Sequence, residues 1–557
     1  MQRDLKTLAQ EKFDLLVVGG GIYGATLAWD AVLRGLKVAL IEKTDFASGT
    51  SSNSLKIIHG GLRYLQHADF VRMRESITER RILLKIAPHL VQPLPCVMPT
   101  FGHAIKGPEV MRIGLLMNDL FSFDRNRHLD KQRRLPNGRI LSKQKLLDIV
   151  PYLERDDLNG GALWYDAQMT NSERLLLSFV HSAVERGAVA ANYVKAESLL
   201  MRNSHVQGVK ARDMLSENTF DIRATLTIST QGPWINDMLA DVRGRKEPIA
   251  YSTAINLVVN RNFSETHAFA APTATEFKDK DAIISKGSRM LFFVPWRGLT
   301  LAGTAHKPYF GDAEAYTVSE SEIADFLLEV NSALPGAHIE RDEIIHTYAG
   351  LLPMTGVNQE SGDVQLQKHF KIIDHKKQDQ LDGLMSVLTV KYTTARGVSE
   401  LAVNQALEKL GKPAMKTQSR ETPIWGGDID DVESFLRDNL TNLNHGMGET
   451  SKSHLLETYG TSYRDVLNVE SRGASRFETI TSDSNILQAE IRFAVRHEMA
   501  QKLTDVMMRR IELGTAGKAS DATIRAVANV MAEELGWDET KVQQEIQDYL
   551  NVYNVKH

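Results

Sequence analysis

Cysteine is almost absent from the 557 residues: Cys96 is the only one. A single thiol excludes an intramolecular disulfide, a four-thiolate zinc site and a thiolate-held iron–sulfur cluster, and it fits a reducing compartment. Long apolar runs are missing too. The best candidate, Phe13 to Leu33, is interrupted by Asp14, Gly19, Gly20, Gly21 and Asp30, and its first half reads as a strand. The start, MQRDLKTLAQEK, is polar and charged and carries no secretory signal. The expected location is therefore cytoplasmic, with the inner face of the membrane as a variant. Nor is there an excess of positive charge: 66 Lys and Arg face 70 Asp and Glu, a net of −4. No global field recruits nucleic acid, and neither nucleic acid nor a metal is expected as a partner.

What is present is ordinary for a globular chain, 42% hydrophobic and 24% charged, and at ~100–200 residues per domain the length suggests about three folding units. Phe13 to Val18 is a short run of strand formers, closed by three glycines and followed by helical spacing through Ala25, Ala28, Trp29 and Val32. Gly35 stops that helix, and Lys37 to Glu42 supplies a second strand. This β-α-β unit needs parallel strands and a right-handed crossover, the opening of a doubly wound α/β domain.

The loop reads Gly19-Gly20-Gly21-Ile22-Tyr23-Gly24, a G-x-G-x-x-G between strand and helix. Gly19 permits the tight turn, Gly21 lets backbone approach a pyrophosphate, and Gly24 allows close helix–strand packing, while the helix N-terminus offers N–H donors. Glu42, about 20 residues on, suits the ribose hydroxyls, with Lys43 beside it. An adenine dinucleotide is inferred, and this fingerprint alone leaves FAD and NAD equal.

Farther on, strand-like runs dominate: Val206 to Arg212, Ala224 to Thr230, Ile255 to Asn260, Met290 to Pro295 and Leu299 to Gly303. They predict a largely antiparallel second sheet. After Gly426 and Gly427 the pattern turns helical, through Glu433–Leu443, Lys452–Tyr459, Asn485–Arg496 and Thr523–Leu535. That tail is expected to be a separate all-α domain.

After Glu42 comes Gly49-Thr50-Ser51-Ser52-Asn53-Ser54-Leu55-Lys56-Ile57-Ile58-His59-Gly60-Gly61-Leu62-Arg63-Tyr64-Leu65. This stretch resembles the T-S-S-x-S-[ST]-K-L-I-H-G-G-[LI]-R-Y-L of the FAD-dependent glycerol-3-phosphate dehydrogenases. Further matches are Gly232-Pro233-Trp234, Phe293-Val294-Pro295-Trp296, Gly303-Thr304, Lys391 with Thr393-Thr394, and His497-Glu498, spread over nearly the whole chain. The resemblance implies a glutathione-reductase-type FAD-binding Rossmann domain, an antiparallel β-sheet substrate domain and a C-terminal all-α domain. By residue number the expected division is 1–100, 156–245 and 341–415 for FAD, 101–155 as a substrate-domain insertion, 246–340 for substrate and 416–557 for the helices.

The resemblance also implies roles. FAD, held non-covalently, would rest on Gly19, Gly21, Ile22, Tyr23, Gly24, Glu42, Lys43, Thr50, Ser51, Ser52, Ser54, Lys56, His59, Gly60, Gly61, Gly232, Leu352, Lys391, Thr393 and Thr394. His59 would accept the proton of a substrate hydroxyl while hydride leaves for flavin N5. Arg63 and Tyr64 would hold an anionic alcohol substrate. Lys391, before a helix that aims its positive end at the flavin pyrimidine, would favour the reduced ring. The family's electron acceptors admit quinone, oxygen or a soluble carrier, and a homodimer is left open.

Four departures fall near the substrate. Leu352 replaces a family arginine, Asn256 lies in the segment matching K-G-S-H, His306 ends the segment matching G-T-T-D, and Thr389-Val390 replaces a glycine pair. Loss of a guanidinium at an anion site costs ~1.5–3 kcal/mol per charge-assisted hydrogen bond. The substrate is thus glycerol 3-phosphate or a related polyol phosphate or hydroxy acid. A non-catalytic flavin scaffold and an amine or amino-acid oxidase are the rival readings. Finally, Met111 to Arg134 mixes apolar and basic residues, read either as a core helix with a solvated basic loop or as a peripheral membrane contact.

Overall fold

The computed structural model describes residues 1–103, 107–243, 249–276, 288–358, 363–388, 391–443, 446–469 and 477–556. Thr389-Val390 lies outside them.

Lys12–Val18 and Val38–Ile41 pair in parallel around helix Ile22–Leu33, as the alternation of strand and helix periods requires. The sheet continues on both sides, in the order Lys371–Asp374, Leu384–Leu388, Thr219–Ser229, Lys12–Val18, Val38–Ile41, Val189–Ala191. Only its outer hairpins run antiparallel. Helices Ile22–Leu33, Ser172–Glu185 and Ala395–Lys409 cover it, and Trp29, Phe179 and Val403 are buried in the shared core.

Among the described residues the second sheet has ten strands and is antiparallel except where Ala268–Glu276 meets Val91–Phe101. Helix Glu320–Ala333 backs it, burying Phe326 and Val330 against Leu257 and Phe293. Its strands come from segments far apart in the chain. Ile57–Ile58, Val91–Phe101, Leu158–Met169, Ile344–Val357 and Val364–Leu366 all belong to this sheet rather than to the first. Alternation identifies a strand but not its partner, because pairing is set by contacts far along the chain.

The helical tail, from Val432–Asn442 to Glu539–Leu550, has its own cores. It docks through buried charge: Arg510 donates to both oxygens of Asp45 at 2.6 and 2.9 Å, and Arg174 grips Glu498 in a bidentate pair. Asp45 sits just past the strand that ends at Ile41, so the tail braces the floor of the dinucleotide site.

Candidate active site

A cavity of about 1810 Å³ runs between the two sheets. Small-molecule sites are typically ~300–1,000 Å³, so there is room here for a dinucleotide and a substrate together.

One end is the glycine loop. Gly21 caps helix Ile22–Leu33 in an extended conformation, and the Ile22 N–H donates to Ser51 Oγ at 3.0 Å. Gly24 faces away from the cavity: a Cβ there would meet the Gly19 carbonyl oxygen at 1.8 Å, so its role is the close packing of helix on strand. The Glu42 carboxylate accepts the N–H groups of Gly20 at 2.7 Å and Thr44 at 2.9 Å, which fixes it at the cavity edge. Lys43 lies 4.0 Å from the Trp234 ring centre and 2.6 Å from Glu314 Oε2, strapping the loop after Leu299–Tyr309 to the dinucleotide domain. Helix-terminal donors, the fixed Glu42 carboxylate and the small hydroxyls of Thr50, Ser51 and Ser54 form a set that fits FAD.

At the other end His59 projects its ring, 49% exposed, with Nδ1 3.4 Å from Asp166 Oδ2 and Phe292 edge-on at 6.0 Å. Its backbone N–H donates to Thr393 Oγ1 at 3.3 Å. The Lys391 carbonyl accepts from the Tyr23 hydroxyl at 2.5 Å, so the segment before helix Ala395–Lys409 is tied to the glycine-loop helix. Burial lowers Lys391 to about 8, with Arg72 adding repulsion while Glu75 and Asp69 oppose it, and the ammonium lies 4.2 Å from the Tyr64 ring centre. Arg63 is exposed to the cavity and has no ion pair among the described residues. Arg289, by contrast, is answered by Glu329 at 3.1 Å and by the Thr304 carbonyl at 2.6 Å.

Nineteen of the residues singled out from the sequence reach this cavity: Gly19, Gly21, Ile22, Tyr23, Glu42, Lys43, Thr50, Ser51, Ser54, His59, Gly61, Arg63, Tyr64, Gly232, Asn256, His306, Leu352, Lys391 and Thr393. Beside Gly24, four others do not. Lys56 is buried, its ammonium 2.9 Å from both oxygens of Glu173, so its charge is spent in an internal pair. Ser52 turns back to the Gly49 carbonyl, Thr394 is buried at the start of its helix, and Gly60 sits beneath the Arg80 guanidinium. Sequence reasoning missed Asp166 and Arg80. The one available signal was the single acid in the strand Leu158–Met169.

A family model for FAD dependent oxidoreductases matches residues 14–375, and one for the C-terminal domain of alpha-glycerophosphate oxidase matches 417–542. A glycerol-3-phosphate dehydrogenase of Synechocystis is 31% identical over 98% of this chain and 97% of its own. The chain belongs to the FAD-dependent glycerol-3-phosphate dehydrogenase family. The mitochondrial glycerol-3-phosphate dehydrogenase of Homo sapiens is 29% identical over 96% of this chain and 72% of its own length. The fold is shared with the glycerol-3-phosphate dehydrogenase of Bacillus halodurans, solved with FAD, at a TM-score of 0.73 and 24% identity over 98% of this chain and 96% of that one. The protein is thus an FAD-dependent oxidoreductase.

The three described departures from the family pattern, Leu352, Asn256 and His306, line the cavity without adding charge. Leu352 is half-buried there and Asn256 is buried, its Oδ1 accepting from the Thr304 hydroxyl at 2.7 Å. His306 is held neutral, lowered to about 4 by burial first and then by Arg289, and its Nδ1 lies 3.1 Å from the Thr253 carbonyl. A carbonyl only accepts, so Nδ1 carries the proton and Nε2 is left as an acceptor.

Proposed function

We propose that the chain oxidises the secondary hydroxyl of glycerol 3-phosphate, or of a related polyol phosphate or hydroxy acid, to the ketone. The observation that carries this reading is one exposed histidine and two cations without an ion pair among the described residues, Arg63 and Lys391, lining the same cavity. His59 removes the hydroxyl proton. Arg63 and Lys391 hold the anionic head, and Tyr64 packs beneath the lysine. FAD, bound non-covalently, supplies the hydride acceptor.

The test is anaerobic bleaching of the purified yellow protein against a panel of polyol phosphates, hydroxy acids and amino acids. Bleaching by glycerol 3-phosphate or a relative at a kcat/KM of ~10⁴ M⁻¹s⁻¹ or better supports the reading. Bleaching by amino acids alone, or by nothing on the panel, defeats it.

We also propose that quinone at a membrane surface is the electron acceptor. Helix Pro108–Phe121 leaves Ile113, Leu116, Met117 and Leu120 exposed, joined by Phe123, Val71 and Phe70. Ile113, Met117 and Phe70 also line the cavity, so this apolar face is continuous with the site. Such a face with basic neighbours suits a bilayer interface, and no helix among the described residues is long and apolar enough to cross one. Flotation with anionic vesicles tests it. Absence of binding leaves oxygen or a soluble carrier.

A further inference from the structure

Resting on the reading above, in which His59 takes the substrate proton, we propose that Asp166 is the residue that positions His59 and fixes which of its nitrogens is basic, and that Arg80 and Gly60 exist to aim Asp166. The exposed His59 ring has one side-chain hydrogen-bond partner among the described residues, Asp166 Oδ2 at 3.4 Å from Nδ1. An ionised carboxylate only accepts, so it selects the form with hydrogen on Nδ1 and the lone pair on Nε2. A somewhat long bond is usual where substrate has yet to close a site.

Asp166 cannot swing. Its other oxygen, Oδ1, accepts the Gly60 N–H at 2.6 Å and Arg80 at 2.7 Å, and the same Arg80 nitrogen donates to the Tyr165 carbonyl at 2.7 Å. Burial would raise this carboxyl, but the His59 hydrogen bond, Arg80 and the Gly60 N–H outweigh it and keep it below the ordinary range. Gly60 is explained by the same arrangement. A Cβ there would meet the Arg80 guanidinium at 1.9 Å, so the first glycine after His59 makes room for the arginine rather than for a ring of the cofactor. Arg80 comes from helix Phe70–Ile86 and Asp166 from strand Leu158–Met169, and both are buried, so the support behind His59 rests on regular elements.

Two variants of Asp166 are expected to fall in an unusual order. In Asp166→Asn the amide oxygen stays with Gly60 and Arg80, which leaves an NH₂ facing Nδ1 and drives the proton to Nε2, removing the base. In Asp166→Ala the ring loses its tether but keeps access to the correct form. Flavin reduction by glycerol 3-phosphate is therefore expected to slow ~10³–10⁴-fold in Asp166→Asn and less in Asp166→Ala, with KM within about twofold in both. A merely structural aspartate would give the reverse order. A second readout needs no turnover: ¹⁵N spectra of histidine-labelled holoprotein, with the His59 signal found by its loss in His59→Gln, should show Nδ1–H in the native protein and Nε2–H in Asp166→Asn. Native His59 in the Nε2–H form, or an alanine variant as slow as the asparagine one, overturns the proposal. If His59→Gln itself reduces flavin at the native rate, the reading of His59 as base fails instead.

Discussion

Among the described residues two histidines carry an aspartate on Nδ1 with an arginine behind it, His59 and His375, and of these two His59 faces the cavity. His375 has Nδ1 2.5 Å from Asp379 Oδ2, Asp379 is held by Arg243 at 2.8 and 3.0 Å, and His375 Nε2 lies 2.7 Å from Ser386 Oγ. On connectivity alone this is a serine–histidine–aspartate triad, and a better-made one than His59–Asp166. Yet His375 is 1% and Ser386 2% exposed, packed at the edge of the dinucleotide sheet, where no substrate atom can reach the hydroxyl. His59 has the looser bond and the open nitrogen. Catalysis needs one unspent group beside a space; a network with every group spent is scaffolding.

The largest effect is expected where the exposed histidine loses its ring. His59→Gln should lower the rate of flavin reduction ~10²–10⁴-fold, the usual worth of a positioned base, with no change in flavin content or in the urea midpoint. A rate within tenfold of the native one would mean that exposure beside a cavity was misread as function.

Next in size is Lys391→Met. Removing one charge-assisted contact to an anionic head costs ~1.5–3 kcal/mol, which raises KM for glycerol 3-phosphate ~10–100-fold while kcat changes less. An equal loss in kcat and kcat/KM would move Lys391 from binding to the chemical step.

Ser386→Ala probes the buried partner. It leaves His375 Nε2 without its hydrogen bond in a dry environment, a destabilisation of ~1–3 kcal/mol, read as a lower urea midpoint at unchanged kcat and KM. A fall in kcat with the stability intact would reverse the assignment of the two histidines.

Legibility in the sequence followed distance along the chain. The glycine loop, Glu42 and the run from His59 to Tyr64 were singled out because each is a local pattern, the last through its resemblance to the dehydrogenase family, and all three line the cavity. Asp166 could not, since it meets His59 across 107 residues, and neither could the partner of Lys56, Glu173, 117 residues away. A lysine in a serine-rich loop reads as an anion ligand until its buried acid is seen. Strands were likewise visible by alternation, whereas their division between the two sheets depended on pairings that no local window contains. The helix at Pro108–Phe121 shows the same limit from the other side: its amphipathic period was plain, and which face would be left uncovered was not.

The smallest effect tests the electrostatics of the open site alone. Lys391 titrates at about 8, so its charge is present below that pH and lost above it, and an anionic substrate loses that attraction as pH rises. KM for glycerol 3-phosphate should therefore rise about twofold between pH 7 and 8 and approach ~10-fold by pH 9, a limb that bound anion moves upward by favouring the charged form. Lys391→Met should abolish the limb while the rest of the pH profile stays. If the limb survives in that variant, another group sets it. The free cation facing substrate is then not Lys391, and the asymmetry between the spent and unspent charges of this protein has to be drawn around Arg63 alone.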